Sequence, residues 1–196
     1  MKVILDIPQI FCKNVTHPRT ARDEIYICYF VTLAKPDENG TLVRKHVAKR
    51  ISPVKTGVKK KSRWIPTDTT AVIEVGDATS MFVTLALYEC DDKDIYKEIK
   101  DRSDVIVNPE DFDWSCIDVP TNLTDWFGWV KAVWKIVVTT FNFYMQDDLL
   151  GTHSIAVPNL QDREDTSWEG LRELKFKAFG GDYRATLAMM VEPEVE

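Results

Sequence analysis

A strand–turn–strand pattern over residues 173–191 restricts the fold of this chain more than any other feature. Apolar and charged side chains alternate from Glu173 to Ala178, a Gly180-Gly181 turn follows, and the alternation resumes over residues 182–191. A period of two around a glycine turn is typical of a β-hairpin with one buried face. The inward face of this predicted hairpin comprises Leu174, Phe176, Ala178, Tyr183, Ala185, Leu187, Met189 and Val191.

Six further segments are predicted to be strands because apolar, β-branched and aromatic residues are concentrated there between turn residues. The segment 24–34 is apolar on both faces, which predicts a central strand covered on both sides. Strands that do not alternate with helices favour an antiparallel sandwich. The sequence therefore predicts one all-β domain over residues 1–196, an eight-stranded antiparallel β-sandwich with a helical insertion in one end loop. The six segments are 2–11, 24–34, 41–51, 70–76, 81–89 and 152–157.

Residues 91–148 are predicted to form this long loop and helix insertion. The segment 126–145 within it is apolar and rich in tryptophan, and Lys131 and Lys135 lie one helical turn apart. An amphipathic helix is therefore predicted rather than a membrane-spanning one. Its apolar side chains need a membrane, a partner protein or the sandwich itself as cover. Four aromatic residues are candidate membrane or partner contacts: Trp126, Phe127, Trp129 and Trp134.

The basic residues are concentrated in one part of the chain. No acidic residue lies between Glu38 and Asp68, a stretch that contains nine lysines and arginines. Because the whole chain carries −6 and this stretch +9, the remainder carries −15. Such a basic stretch favours an anionic membrane surface, whereas Trp64 is the only aromatic residue among the bases, which argues against nucleic acid. The candidate contact residues in this stretch are Lys59, Lys60, Lys61 and Arg63.

The predicted strand order places several distant segments at one end of the sandwich. If successive strands run antiparallel, every second connection lies at the same end. The connections 12–23, 52–69, 90–151 and 180–181 are therefore predicted to be neighbours. This arrangement brings the basic stretch, several acidic residues and the tryptophan-rich segment together.

Carboxylates occur in these connections at Asp23, after the strand that ends near Glu89, and at Asp147-Asp148. Calcium takes six to eight oxygen ligands, which flexible loops commonly supply. Converging acidic loops therefore predict either a calcium site or a set of turn caps and solubilising loop residues.

Two short motifs resemble those of a known family. The run from Leu85 to Asp91, followed by Asp147-Asp148-Leu149-Leu150-Gly151, resembles the calcium- and phospholipid-binding β-sandwich of the protein kinase C conserved-region-two type. The resemblance implies an eight-stranded sandwich whose end loops contact the bilayer, with calcium as a candidate cofactor. The long segment between the two motifs departs from the compact acidic loop of that family. The calcium ligands that the resemblance implies are Asp23, Asp91, Asp147 and Asp148.

The sequence contains no pattern typical of an enzyme. It has no nucleophile elbow, no phosphate-binding glycine loop and no zinc-protease motif, and its three histidines are isolated. Its four cysteines show no CxxC spacing. Asp6 and Pro8 interrupt any apolar run after Met1, so no secretory signal is predicted, and a cytoplasmic or peripheral membrane location is expected.

These observations predict a non-catalytic membrane- or lipid-binding module, with calcium assistance as an open question. The alternative is a protein-interaction subunit of a toxin or multiprotein assembly that docks through the tryptophan-rich helix. A hydrolase with spatially assembled histidine and aspartate residues is a third hypothesis, which no motif supports. Lipid identity, partner identity and oligomeric state are left open by the sequence.

Overall fold

A computed structural model describes residues 1–16, 22–39, 42–90, 148–162 and 166–192 of the chain. Within these ranges the chain forms ten β-strands and no helix. The strands are β1 (Lys2–Asn14), β2 (Asp23–Pro36), β3 (Leu42–Ile51), β4 (Lys55–Val58), β5 (Arg63–Trp64), β6 (Ala71–Glu74), β7 (Ser80–Glu89), β8 (Asp148–Val157), β9 (Gly170–Ala178) and β10 (Gly181–Val191).

The strands form two antiparallel sheets. Sheet 1 has the order β5-β1-β10-β9, with β6 also paired to β1. Sheet 2 has the order β3-β2-β7-β8, with β4 also paired to β2. The strand β2 lies between β3 and β7, which confirms the central position predicted from its two apolar faces.

The core lies between the two sheets and consists of alternate side chains from the strands. Leu5 and Ile7 of β1, Leu85 of β7 and Leu187 of β10 are fully buried members of this cluster. Packing of two inner faces is the usual way in which a sandwich buries apolar surface, and each buried aliphatic side chain contributes about 1.5–3 kcal/mol. The hairpin residues predicted to face inward, such as Phe176 and Tyr183, belong to the same core.

A second apolar cluster lies on the opposite, outer face of sheet 2. Tyr26 and Tyr88 are cross-strand partners whose rings stack with centroids 5.2 Å apart. Cys28 and Ala86 pair beside them, and all four residues are at most 2 % exposed. Sheet 2 therefore has two apolar faces and does not present a polar surface at this cluster.

The predicted two-sheet β-sandwich is confirmed, with differences in its details. All eight predicted strands are present, but β4 and β5 lie within the segment 52–69, which was predicted to be a loop. These two strands are short and mostly polar, so they show no periodicity and form only because the edges of β2 and β1 are open to pairing. The strand β8 begins at Asp148, four residues earlier than predicted. The predicted helix over 126–145 lies outside the described residues.

Candidate functional site

One end of the sandwich gathers the described parts of the connections that were predicted to meet. Asn14 at the end of β1 pairs with Asp182, next to the Gly180-Gly181 turn. Glu89 at the end of β7 pairs with Asp148 at the start of β8, so both borders of the segment 91–147 lie together. We call this end the insertion end. It comprises the last residues of β1, β4, β7 and β9 and the first residues of β2, β5, β8 and β10.

Asp23 is a buried carboxylate that connects three elements of the insertion end. Asp23 is the first residue of β2 and is only 1 % exposed. Its Oδ2 atom accepts a hydrogen bond from the Thr16 backbone N–H at 2.7 Å and another from the Tyr183 hydroxyl. Its Oδ1 atom has no hydrogen-bond partner among the described residues. Asp23 therefore holds the residues after β1 against both β2 and β10.

Glu89 is the second buried carboxylate at this end, and Thr16 connects it to Asp23. The Thr16 hydroxyl donates a hydrogen bond to Oε2 of Glu89, whereas the Thr16 backbone donates to Asp23. Glu89 is 3 % exposed and Thr16 is 5 % exposed. Because hydrogen bonds to charged groups are worth about 1.5–3 kcal/mol each, this arrangement stabilises the fold at the base of the end loops.

Burial changes the acidity of the groups around Asp23. Removal from water raises the pKa of the Tyr183 hydroxyl, and its hydrogen bond to Asp23 raises this pKa further. Burial also raises the pKa of the neighbouring Cys12 thiol to about 11. Cys12, Cys28 and Cys90 are all buried.

The raised pKa of Tyr183 predicts a loss of stability in alkali. In the unfolded chain a tyrosine ionises near pH 10, whereas in the folded protein the Tyr183 hydroxyl stays neutral above that pH. The stabilisation is therefore complete below about pH 10 and decreases as the pH rises further. We expect the urea concentration at the unfolding midpoint to fall as the pH is raised from about 9 to about 11, a range that spans the tyrosine pKa. The fall should be smaller in Tyr183→Phe, and an equal fall in both proteins would contradict the assignment.

Gly181 allows Thr16 to approach the β9–β10 hairpin closely. A Cβ atom at position 181 would lie 2.8 Å from Thr16 Cγ2 and 3.1 Å from Tyr183 Cε2. We expect Gly181→Ala to lower the free energy of unfolding by about 1–3 kcal/mol, because Thr16 must move away from its two carboxylate partners. Thr16→Ser removes the Cγ2 atom and keeps the hydroxyl, so Gly181→Ala should cost less stability in a Thr16→Ser background than in the unmodified protein. Chemical denaturation measures the loss in both backgrounds, and equal losses would show that the contact with Thr16 Cγ2 is unimportant.

The calcium site predicted from the sequence is only partly within the described residues. Asp23 lies at the insertion end, Asp148 begins β8 at the same end, and Asp91 and Asp147 lie outside the described ranges. Within those ranges no group of three histidine, cysteine, aspartate or glutamate side chains is arranged to hold a metal ion. Asp23 has one oxygen without a partner, whereas calcium needs six to eight ligands. The described side chains therefore do not form a calcium site by themselves.

Three exposed lysines form a turn that is fixed to the edge of β1. Lys59, Lys60 and Lys61 lie between β4 and β5, and all three are exposed. The Lys61 N–H donates to the Cys12 carbonyl at 2.8 Å, and the Cys12 N–H donates to the Ser62 carbonyl at 2.9 Å. These two backbone bonds hold the turn at the insertion end while its ammonium groups remain in solvent.

Arg63 follows this turn and lies on the outer face of sheet 1. Its guanidinium carbon is 4.9 Å from the centroid of the Phe11 ring, a cation–π distance that is worth about 0.5–1 kcal/mol at an exposed site. The sequence pattern identified the basic residues, but it did not predict that β5 would place Arg63 beside Phe11.

The tryptophan-rich part of the predicted site lies outside the described residues, although its two attachment points are at the insertion end. Among the residues that the structure describes, no helix has the length and apolar content needed to cross a membrane. The predicted contacts in question are Trp126, Phe127, Trp129, Lys131, Trp134 and Lys135.

The described residues form an antiparallel β-sandwich of two sheets, and the segment 91–147 is attached at one end of it. No protein-family model matches the chain, and no curated protein matches it. Among the solved structures that match is a C2 domain of plant extended synaptotagmin 1, at 8% sequence identity and a TM-score of 0.43. The match covers 98% of this chain and 96% of that domain. That domain is of the conserved-region-two (C2) type.

Proposed function

We propose that the protein is a non-catalytic module that binds an anionic membrane surface through its insertion end. The observation that carries this proposal is the turn of Lys59, Lys60 and Lys61, which is held rigidly by β1 while its three charges stay exposed. A basic residue close to an anionic membrane contributes about 1 kcal/mol of attraction. Because the turn is already fixed, little conformational freedom is lost when it docks.

The tryptophan-rich segment supplies the apolar part of this proposed contact. The described residues that border it, Cys90 and Asp148, lie at the same end as the lysine turn. Tryptophan and phenylalanine rings at Trp126, Phe127, Trp129 and Trp134 favour the region of the lipid headgroups. Lys131 and Lys135 would extend their ammonium groups toward the phosphates while their aliphatic stems stay in contact with the rings.

Calcium assistance is a further part of the proposal, with Asp23, Asp91, Asp147 and Asp148 as the candidate ligands. A bound calcium ion would neutralise carboxylates at the insertion end and so reduce their repulsion from anionic lipids. The Oδ1 atom of Asp23 has no hydrogen-bond partner among the described residues, which supports Asp23 as a candidate ligand. The fully buried environment of Asp23 shows that it also has a structural role, so a calcium contribution must be measured separately.

Vesicle co-sedimentation tests the proposal directly. Vesicles of phosphatidylcholine, with and without phosphatidylserine, are each mixed with the protein in calcium and in a chelator. We expect binding to the vesicles that contain phosphatidylserine, with binding that weakens as salt is added because exposed charges are screened. Absence of binding in all conditions would overturn the proposal and favour docking to a protein partner through the tryptophan-rich segment.

A further inference from the structure

We infer that the outer face of sheet 1 near the insertion end binds anionic phospholipid headgroups, so that the protein lies with this sheet against the membrane. The inference rests on the proposed function and specifies which surface of the sandwich meets the lipid. It depends on residues of four strands that are far apart in the sequence and that the sheet places in two adjacent rows.

The first row crosses the strands β5, β1, β10 and β9 of sheet 1. Strand pairing places Arg63 opposite Phe11, Phe11 opposite Arg184, and Arg184 opposite Lys175. With neighbouring strands about 4.8 Å apart, this row extends roughly 14 Å across the sheet. It therefore presents three basic side chains and one aromatic ring along a line wide enough to meet more than one headgroup.

The second row lies next to the first, nearer the insertion end. The Asp182 carboxylate is 3.2 Å from the Lys13 ammonium nitrogen and 3.7 Å from that of Lys177. The Asp182 side chain is only 11% exposed, whereas those of Lys13 and Lys177 are 52% and 66% exposed. The mostly buried Asp182 carboxylate thus pairs with two lysines whose side chains are more exposed, so this row presents positive charge to solvent.

The two rows together have an excess of positive charge on a chain whose net charge is −6. Among the described residues, the acids in these rows and beside them are Asp182 and Glu173, and Glu173 is 3.1 Å from the Arg184 guanidinium. The lysine turn at residues 59–61 continues this surface, because it is bonded to Cys12, next to Lys13. The basic side chains of the two rows are Lys13, Arg63, Lys175, Lys177 and Arg184.

Exposed apolar side chains flank this basic surface. Ile65, which follows β5, is 74% exposed, and Phe179, which precedes the Gly180-Gly181 turn, is 62% exposed. Basic residues with exposed large apolar residues beside them are the combination that binds at a membrane interface, because both the charges and the apolar area gain from contact.

Among the residues that the structure describes, the opposite outer face of the sandwich carries no equivalent basic rows at this end. There the cluster around Tyr26 and Tyr88 is buried, at 0% and 2% exposure. In the described part of the insertion end, the outer face of sheet 1 therefore carries two rows of basic side chains where the outer face of sheet 2 carries this buried apolar cluster.

A charge-reversal pair on β9 tests the inference. Lys175→Glu with Lys177→Glu changes two exposed residues of the surface, and Lys35→Glu with Lys45→Glu makes the same change in net charge on β2 and β3 of sheet 2. In co-sedimentation with phosphatidylserine vesicles, we expect the β9 pair to weaken binding by about tenfold or more and the control pair by less than about twofold. Lys175→Arg with Lys177→Arg should bind as the unmodified protein does. Thermal melting shows whether each variant is folded.

The outcomes separate this inference from the proposed function. If the unmodified protein binds the vesicles and the β9 pair binds equally well, the inference is overturned while the proposed function stands. If the unmodified protein binds no vesicles, both fail. If it binds a single-stranded oligonucleotide instead, and the β9 pair abolishes that binding, the surface recognises nucleic acid and the inference is wrong.

Discussion

Replacement of Asp23 with alanine is expected to lower the free energy of unfolding by about 2–5 kcal/mol, in the presence of calcium or of a chelator. The change removes the acceptor of two hydrogen bonds and leaves the Thr16 N–H and the Tyr183 hydroxyl without this partner in a buried region. Each buried donor without a partner costs about 1–3 kcal/mol. Urea unfolding at neutral pH, with and without calcium, measures the effect.

Tyr183→Phe is the matched control for this prediction. It keeps the Asp23 carboxylate and removes one of its donors, so we expect a loss of about 1–3 kcal/mol. The double variant should lose less than the sum of the two single variants, because both changes remove the same hydrogen bond. If Asp23→Ala instead left the stability in chelator unchanged and removed only a stabilisation by calcium, Asp23 would be a metal ligand without a structural role. Calcium at a hundredfold excess over its dissociation constant would provide about 2.7 kcal/mol of such stabilisation.

The sandwich could be predicted from the sequence because most of its strands are half-buried or fully buried. The alternation in β9 and β10 follows the two faces of sheet 1, and the two-sided apolar pattern of β2 follows its central position. In contrast, β5 has only Arg63 and Trp64, and its formation depends on pairing with Ile10 and Phe11 of β1. A strand of that length has no period to detect, so the first row of the basic surface could not be predicted.

The candidate site was predictable as a location but not as a set of contacts. Because alternate connections share one end, Asp23, Glu89 and the lysine turn were predicted to lie at the same end of the sandwich, and the described structure agrees. The specific partners were not predictable, since Tyr183 lies 160 residues from Asp23 and its inward position suggested only a core residue. From its sequence position Asp23 was therefore predicted to be a candidate ligand, and its hydrogen bonds to Thr16 and Tyr183 were not predicted. A polar hydroxyl on the buried face of a strand was the available signal, because such a group needs a buried partner.

Neutralising the lysine turn is expected to weaken binding to phosphatidylserine vesicles by about 100-fold. The variant combines Lys59→Gln, Lys60→Gln and Lys61→Asn, and the loss of three charges worth about 1 kcal/mol each accounts for the effect. Asparagine is chosen at position 61 because the backbone there has φ of 66°, a left-handed conformation that asparagine tolerates well. The turn should keep its shape, since the bonds between Lys61 and Cys12 and between Ser62 and Cys12 come from the backbone.

The matched control for the lysine turn neutralises three lysines elsewhere: Lys2, Lys35 and Lys45, each changed to glutamine. It alters the net charge by the same amount, but these residues lie away from the insertion end on β1, β2 and β3. We expect both triple variants to unfold within about 0.5 kcal/mol of the unmodified protein, because surface changes of this kind have small effects on stability. A vesicle titration at several salt concentrations then compares their affinities. Equal weakening in the two variants would show that net charge alone governs binding, and that the lysine turn, although fixed to β1 beside Cys12, is not the contact with the membrane.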